Sequence, residues 1–281
     1  MKKLITFLIL LLIPHLVSAG VISLTMTIST DIMTDNTTKI HVKLINSGDE
    51  PAHDVQVSLL TKDFIADSII VGKLNPNEPF EKDFNVSLKE GILPGSYPIV
   101  ILTDYADANG YPFSSVSPSS IIYKKPTVSK VSGLINEVSL TGKESKKLTL
   151  SIRNLDDVEH NINIRLILPR EIKVDEEEKE VLIESKQEKS LDFEVSSLSA
   201  ISGSTYAIVA SIEYEVNDLH YSSFVNGIIR IDGGIKPKTK ESEGTSTLAF
   251  IVLFISIIFV LIYAYPKYIK RRMKVEKGKT R

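Results

Sequence analysis

The sequence predicts an all-β chain: two tandem β-sandwich domains plus one C-terminal transmembrane helix. Three observations predict it. Short runs alternate apolar and polar residues with a period of two, which sets one row of side chains on a buried face and the other on water. Between these runs stand Gly, Pro, Asn and Asp, each a turn former for its own physical reason. The pattern then occurs a second time, and an uncharged apolar stretch follows it.

The chain has 281 residues, a prior of two domains once the ends are set aside. Residues 1–19 read as a secretory signal peptide. Lys2 and Lys3 form a positive start, Leu4 to Ile13 form an apolar run too short to span a bilayer, and Val17-Ser18-Ala19 supplies small residues before a cut at Gly20. Domain 1 is assigned to 20–125 and domain 2 to 126–232, with the boundary at "YKKPTVS" (Tyr123 to Ser129).

Within domain 1, "VKLINSGDEPAHDVQVSLL" (Val42 to Leu60) is a strand, a corner and a strand. Ile40, Val42 and Leu44 lie in phase, "NSGDEPA" turns the chain, and Val55, Val57 and Leu59 resume the alternation. Domain 2 answers it with Leu148, Leu150, Ile152 and Asn154, then Ile162, Ile164 and Leu166. "DFNV" (Asp83 to Val86) is answered by "DFEV" (Asp192 to Val195), and "GSYPIVILTDY" (Gly95 to Tyr105) by "GSTYAIVASIEY" (Gly203 to Tyr214). Matches in one order mean one fold used twice. Short β-rich runs with frequent turns suggest two antiparallel sheets face to face in each copy. "DEEEKE" (Asp175 to Glu180) lies between β-like runs and reads as a solvated loop.

Residues 233–246 form a Gly/Pro/charged stalk without an apolar face. Residues 247–265, "TLAFIVLFISIIFVLIYAY", carry no charge and are long enough to span the hydrocarbon core. Tyr263, Tyr265 and Tyr268 stand where an aromatic belt lies. The tail, 266–281, holds eight Lys or Arg and one Glu, and positive charge stays cytoplasmic. The expected localisation is therefore the cell membrane, single-pass and type I, with residues 20–246 extracellular. Membrane lipid is the partner of the helix and basic tail.

The net charge of −2 hides the basic ends, so residues 20–246 are acidic. That argues against a nucleic-acid partner, which needs a basic footprint. There is no Cys, so core burial alone must hold the domains, and thiol chemistry and Cys-ligated metal are excluded. With no Trp either, the Cys…Trp…Cys signature of antibody domains is absent.

"LINSGDEPAHDVQVSL", followed by "LPGSYPIVILTDYADANGYPFSS", resembles the CARDB and NEW3 type of bacterial and archaeal surface domains. It is similar in particular to the exterior of archaeal membrane proteins described as S-layer-domain-like. The resemblance covers about residues 22–231. Domain 2 departs from it, with Leu155 and Asp156 where domain 1 has Ser47 and Gly48. The resemblance implies an Ig-like sandwich and an adhesive or scaffolding role, without catalytic residues.

A search for chemistry finds little. In an EF-hand frame with Gly110 at the sixth position, "DYADANGY" puts Tyr105 first and Val116 twelfth, where carboxylates are needed. Asn109-Gly110 between two β runs is a hairpin turn. His41, His53, His160 and His220 have no metal-ligand spacing, and His53 and His160 fall in equivalent corners, as surface turns. No nucleophile elbow or phosphate loop occurs. The reading is a non-enzyme without cofactor or metal. Asn36 ("NTT") and Asn85 ("NVS") fit the glycosylation acceptor pattern. The expected function is a membrane-anchored extracellular binding or scaffolding protein whose partner is an envelope protein or polysaccharide. The alternative is an accessory subunit of a membrane transporter complex, such as an ABC-type exporter.

Overall fold

Alternation sorts the strands into sheets whose inner rows meet. In a computed structural model that describes residues 20–233, the first half runs β1 (Leu24–Thr30), β2 (Thr37–Asn46), β3 (Ala52–Leu60), β4 (Phe64–Ala66), β5 (Ile69–Leu74), β6 (Pro79–Leu88), β7 (Gly95–Ala106) and β8 (Pro112–Tyr123). The second runs β9 (Val131–Ile135), β10 (Val138–Thr141), β11 (Lys146–Asn154), β12 (His160–Ile167), β13 (Ile172–Val174), β14 (Glu178–Ile183), β15 (Glu188–Ser197), β16 (Thr205–Val216) and β17 (Leu219–Asp232). No described residue is helical. The expected signal segment 1–19, the stalk beyond Gly233, the span 247–265 and the tail lie outside the described residues.

The halves repeat one strand order. In the first, a sheet β1-β2-β6-β4 faces a sheet β5-β3-β7-β8. In the second, β9-β11-β15-β13 faces β14-β12-β16-β17. Each half fills its own core. Ile40, Val42, Leu44, Val55, Val57, Phe84, Ile99 and Ile101 belong to the first. Leu148, Leu150, Ile152, Ile162, Ile164, Phe193 and Ile208 belong to the second. After the first strand of each half, the chain crosses to the other sheet. β10 pairs parallel with β17, and Met33 makes the equivalent parallel bridge to Tyr123.

The repeated corner rests on a buried asparagine. Asn46 and Asn154 are each 0% exposed. Asn46 Nδ2 donates to the Glu50 carbonyl at 2.7 Å, and its Oδ1 accepts from the Gly48 amide at 3.0 Å. Asn154 Nδ2 donates to the Val158 carbonyl at 2.8 Å, and its Oδ1 accepts from the Asp156 amide at 2.9 Å. A buried corner must satisfy its backbone groups, and one carboxamide satisfies several at once. Gly48 is needed in the first copy because a Cβ there would sit 1.9 Å from the Val21 carbonyl oxygen.

Two expectations need correction. His160 is not a surface turn. It opens β12 in phase with Ile162 and Ile164, is 3% exposed, and packs its ring 4.4 Å from that of Tyr214. The buried row simply begins two residues before Ile162. His53, its counterpart, is half-buried within β3. The acidic run at Asp175 is a loop only as far as Glu177, because β14 starts at Glu178 and pairs with β12.

The halves do not stand apart. A third apolar cluster joins Val100, Leu102 and Val116 of the first half to Ile167 and Val209 of the second, with Leu60 and Phe224 packed against it. β7 is buried on both faces for this reason: Ile99 and Ile101 point into its own core, and Val100 and Leu102 into the junction. A parallel pairing of His220 with Gly95 links β17 to β7, so a nine-stranded sheet runs through both halves.

Candidate functional site

The junction positions the most distinctive chemistry among the described residues. At one end, a cleft of about 390 Å³ opens between the β7–β8 hairpin and the loop that joins β12 to β13. The hairpin supplies an aromatic wall. Tyr105 and Phe113 are cross-strand partners, stacked with centroids 5.4 Å apart, and Tyr111 tilts against Phe113 at 5.3 Å. The tip is held by Asp107, whose Oδ1 accepts from the amides of Asn109 (2.9 Å) and Tyr111 (2.8 Å). The Tyr111 amide bond is the main cause of a carboxyl pKa below the usual carboxylate range. The hairpin turn expected at Asn109-Gly110 is present, with Gly110 at a positive φ.

The facing wall is polar. Glu171 is 3% exposed, and its carboxylate accepts from the Ser114 amide and the Ser114 hydroxyl, each at 2.6 Å. The Arg170 amide donates back to Ser114 Oγ at 2.8 Å. The Arg170 guanidinium grips Asp104 through Nε (2.7 Å) and Nη2 (2.8 Å), a bidentate pair across the two halves. Tyr111 donates its hydroxyl to the Ser199 carbonyl at 2.8 Å. Burial pushes the Tyr105 hydroxyl pKa up, and the nearby Glu171 charge adds to it.

At the other end of the junction, His220 is buried rather than solvated. Its ring stacks on Tyr97 at 4.0 Å with planes 4° apart. Nε2 lies 3.4 Å from Glu213 and Nδ1 3.8 Å from Glu215, and neither nitrogen makes a hydrogen bond. The backbone there is tied by Thr127 Oγ1 to the His220 carbonyl (2.6 Å), by the His220 amide to the Pro94 carbonyl (2.9 Å), and by Ser222 Oγ to the Ser96 carbonyl (2.7 Å). Asp63 nearby has its carboxyl pKa raised by burial and then by the Glu213 charge. Burial, with help from the Asp63 charge, also pushes the Tyr97 hydroxyl up.

Of the residues singled out from sequence, Asn36 lies exposed at the bend before β2, and Asn85 lies exposed within β6. His41 is on an outer face, with Nδ1 2.9 Å from Asp83 Oδ1. None of these joins the cleft. Among the described residues, no group of three or more His, Asp or Glu side chains could hold a metal ion. The cleft residues were not anticipated. The available signal was the run "YPIVIL" (Tyr97 to Leu102), apolar at every position where a strand with one wet face alternates. Aromatic faces, carboxylates and a guanidinium converge at the cleft, and its one buried hydroxyl–carboxylate pair, Ser114 with Glu171, ties the two halves together.

No family model and no curated protein matches the chain. Among solved structures, it is similar to a Salmonella alpha-2-macroglobulin (16% identity, 74% of this chain and 16% of that one, TM-score 0.32). It is similar also to a protein of unknown function from Porphyromonas gingivalis (14% identity, 73% and 98%, TM-score 0.31). A third is an E. coli alpha-2-macroglobulin (15% identity, 73% and 17%, TM-score 0.28). The chain thus spans about a sixth of the length of the macroglobulins it matches.

Proposed function

We propose that this chain is a membrane-anchored extracellular protein of the cell envelope, with two tandem Ig-like domains of the CARDB/NEW3 type, that binds or scaffolds envelope components. The observation that carries the reading is the junction. Two sandwiches are fastened by a shared apolar cluster and by buried hydrogen bonds, and they leave at one end a cleft of aromatic and charged side chains. A fastened pair presents its loops in a fixed relation, which lowers the ordering cost of binding. The Ig-like assignment is supported by the strand order in each half and by the stretch after the first strand, which reaches the last strand of the other sheet.

The test is in-cell crosslinking of the tagged full chain, mild detergent extraction and identification of what travels with it. A Phe113→Ala, Tyr111→Ala variant is run beside the wild type. Recovery of an envelope protein or glycan that falls at least tenfold in the cleft variant supports the reading. Stoichiometric recovery of a permease and its ATPase assigns the chain to a transporter complex instead. Deleting residues 247–281 should release the protein from the cell; a product that stays in the cytosol sinks the proposal.

A further inference from the structure

The sequence contains two Asn-x-Ser/Thr triplets, Asn36-Thr37-Thr38 and Asn85-Val86-Ser87, far apart along the chain. The fold brings them side by side. In the antiparallel pairing of β2 with β6, Thr37 stands opposite Ser87, Thr38 opposite Val86 and Lys39 opposite Asn85. The Leu88 amide donates to the Asn36 carbonyl at 2.8 Å, which extends the same register to the bend. Three residues of strand separate the two asparagines, or about 10 Å. Both are exposed. A hollow of about 500 Å³ beside Asn85 is lined by Thr37, Thr38, Lys39, Asn85, Val86 and Ser87, so it takes in residues of both triplets.

The outer face that carries Asn85, with Asn36 at its end, is polar apart from Ile65 of β4, which is exposed opposite Ser87. β1 shows Thr25, Thr27 and Ser29; β2 shows Lys39, His41 and Lys43; β6 shows Glu81, Asp83 and Asn85. Lys43 pairs with Glu81 at 2.6 Å, and Asp83 is shared by Lys39 and His41. Such a face stays hydrated and, Ile65 apart, offers little that is apolar to a docking protein. The second half has the same outer face but carries Glu144 and Glu194 at the matching positions, both exposed. Acceptors therefore occur together on one copy of the face and on neither position of the other.

We propose that Asn36 and Asn85 form a paired N-glycosylation site that covers the outer face of the sheet β1-β2-β6-β4. The donor class is a sugar linked through its anomeric carbon to a polyprenyl phosphate or diphosphate. The Asn side-chain nitrogen attacks that carbon, the C–N bond forms, the C–O bond to the lipid phosphate breaks, and one amide proton goes to a general base of the transferring enzyme. No electron acceptor is involved. Two bulky hydrophilic chains about 10 Å apart close this face to protein partners. The junction cleft and the loops beside it remain as the contact surface.

The inference rests on the surface location proposed above, so the experiment separates the two. Intact cells of the native host are labelled with a membrane-impermeant biotin reagent. The labelled protein is captured, and the peptides holding Asn36 and Asn85 are weighed by mass spectrometry. Expected is a glycan mass on both, with Asn36→Gln and Asn85→Gln each removing one step of gel mobility and the double variant two. Thr38→Val and Ser87→Ala, which keep the asparagines, should remove the same steps. Biotin-labelled protein with either asparagine bare overturns the pair and leaves the surface reading intact. Protein that escapes biotin in intact cells and bears no glycan overturns both.

Discussion

Replacing Glu171 with Ala should loosen the two halves without emptying either core. The Glu171 carboxylate accepts two hydrogen bonds from Ser114 of the other half, at 3% exposure. Bonds to a charged group contribute about 1.5–3 kcal/mol each, and a buried amide left without its acceptor costs about 1–3 kcal/mol. Relief of the carboxylate's own burial offsets part of this, so the net loss should be about 3 kcal/mol, or roughly 100-fold in the open population. Two measurements check it on the purified protein. Tyrosine emission follows urea unfolding, since the chain has no Trp. Trypsin cutting at Lys124 and Lys130 reports opening of the segment between the halves. Glu171→Ala should lower the midpoint and speed the cut, and Glu171→Gln, which keeps one acceptor, should do about half as much. A change below about 0.5 kcal/mol with unaltered trypsin cutting would refute the assignment of the junction to this contact.

Asn154→Ala removes a carboxamide that donates to Val158, Ile183 and Glu184 and accepts from Asp156. It should cost about 2–4 kcal/mol by urea unfolding, and Asn154→Asp should not rescue it, because the donors are lost. Gly95→Val places a Cβ 2.1 Å from the His220 carbonyl oxygen, so the β7–β17 pairing should part. Hydrogen exchange of the His220 amide, which now donates to Pro94, should rise while amides of the second core keep their protection. Asp156 has a pKa of about 2, held down first by the Lys130 hydrogen bond. A carboxyl lowered on folding stabilises above its unfolded pKa, and the contribution is lost as pH falls from about 4 toward about 2. Lys130→Met should flatten that limb of the melting temperature against pH.

Much of the fold was legible because period two is a strong signal where one face is wet. Ile40, Val42 and Leu44, and their partners Leu148, Leu150 and Ile152, are fully buried. The paired "DFNV" and "DFEV" deliver Phe84 and Phe193 to the two cores. Alternation fails to report a polar residue that lies in phase with the buried row. Asn46 and Asn154 follow Leu44 and Ile152 by two, and His160 precedes Ile162 by two, yet their residue types suggest turns. Composition classes them as surface; position buries them. The cleft was illegible for another reason. Its walls come from Tyr105 to Ser114 on one side and from Arg170 and Glu171 on the other, and no local pattern announces that two repeats will touch.

How they touch follows from the repeat. Leu60 and Ile167 hold matching positions in the two copies, as do Val100 and Val209, and Val116 and Phe224. Both copies therefore offer the same sheet face to each other. An interface of like with like is what a symmetric dimer makes, and here a short linker holds the two copies together. Repetition alone would make the opposite faces equally adhesive. They are kept apart by Lys39, His41 and Lys43 on β2 and by Lys147, Thr149, Ser151 and Arg153 on β11, all out of phase with the core. One face of each copy is apolar at the out-of-phase positions and the other is charged there, so each sandwich has one adhesive side. The pair closes on that side. At one end of the closed junction the cleft lined by Tyr105 and Phe113, with Tyr111 packed against Phe113, stays open, because the apolar cluster joins the two copies along their sheets and not at that hairpin's tip.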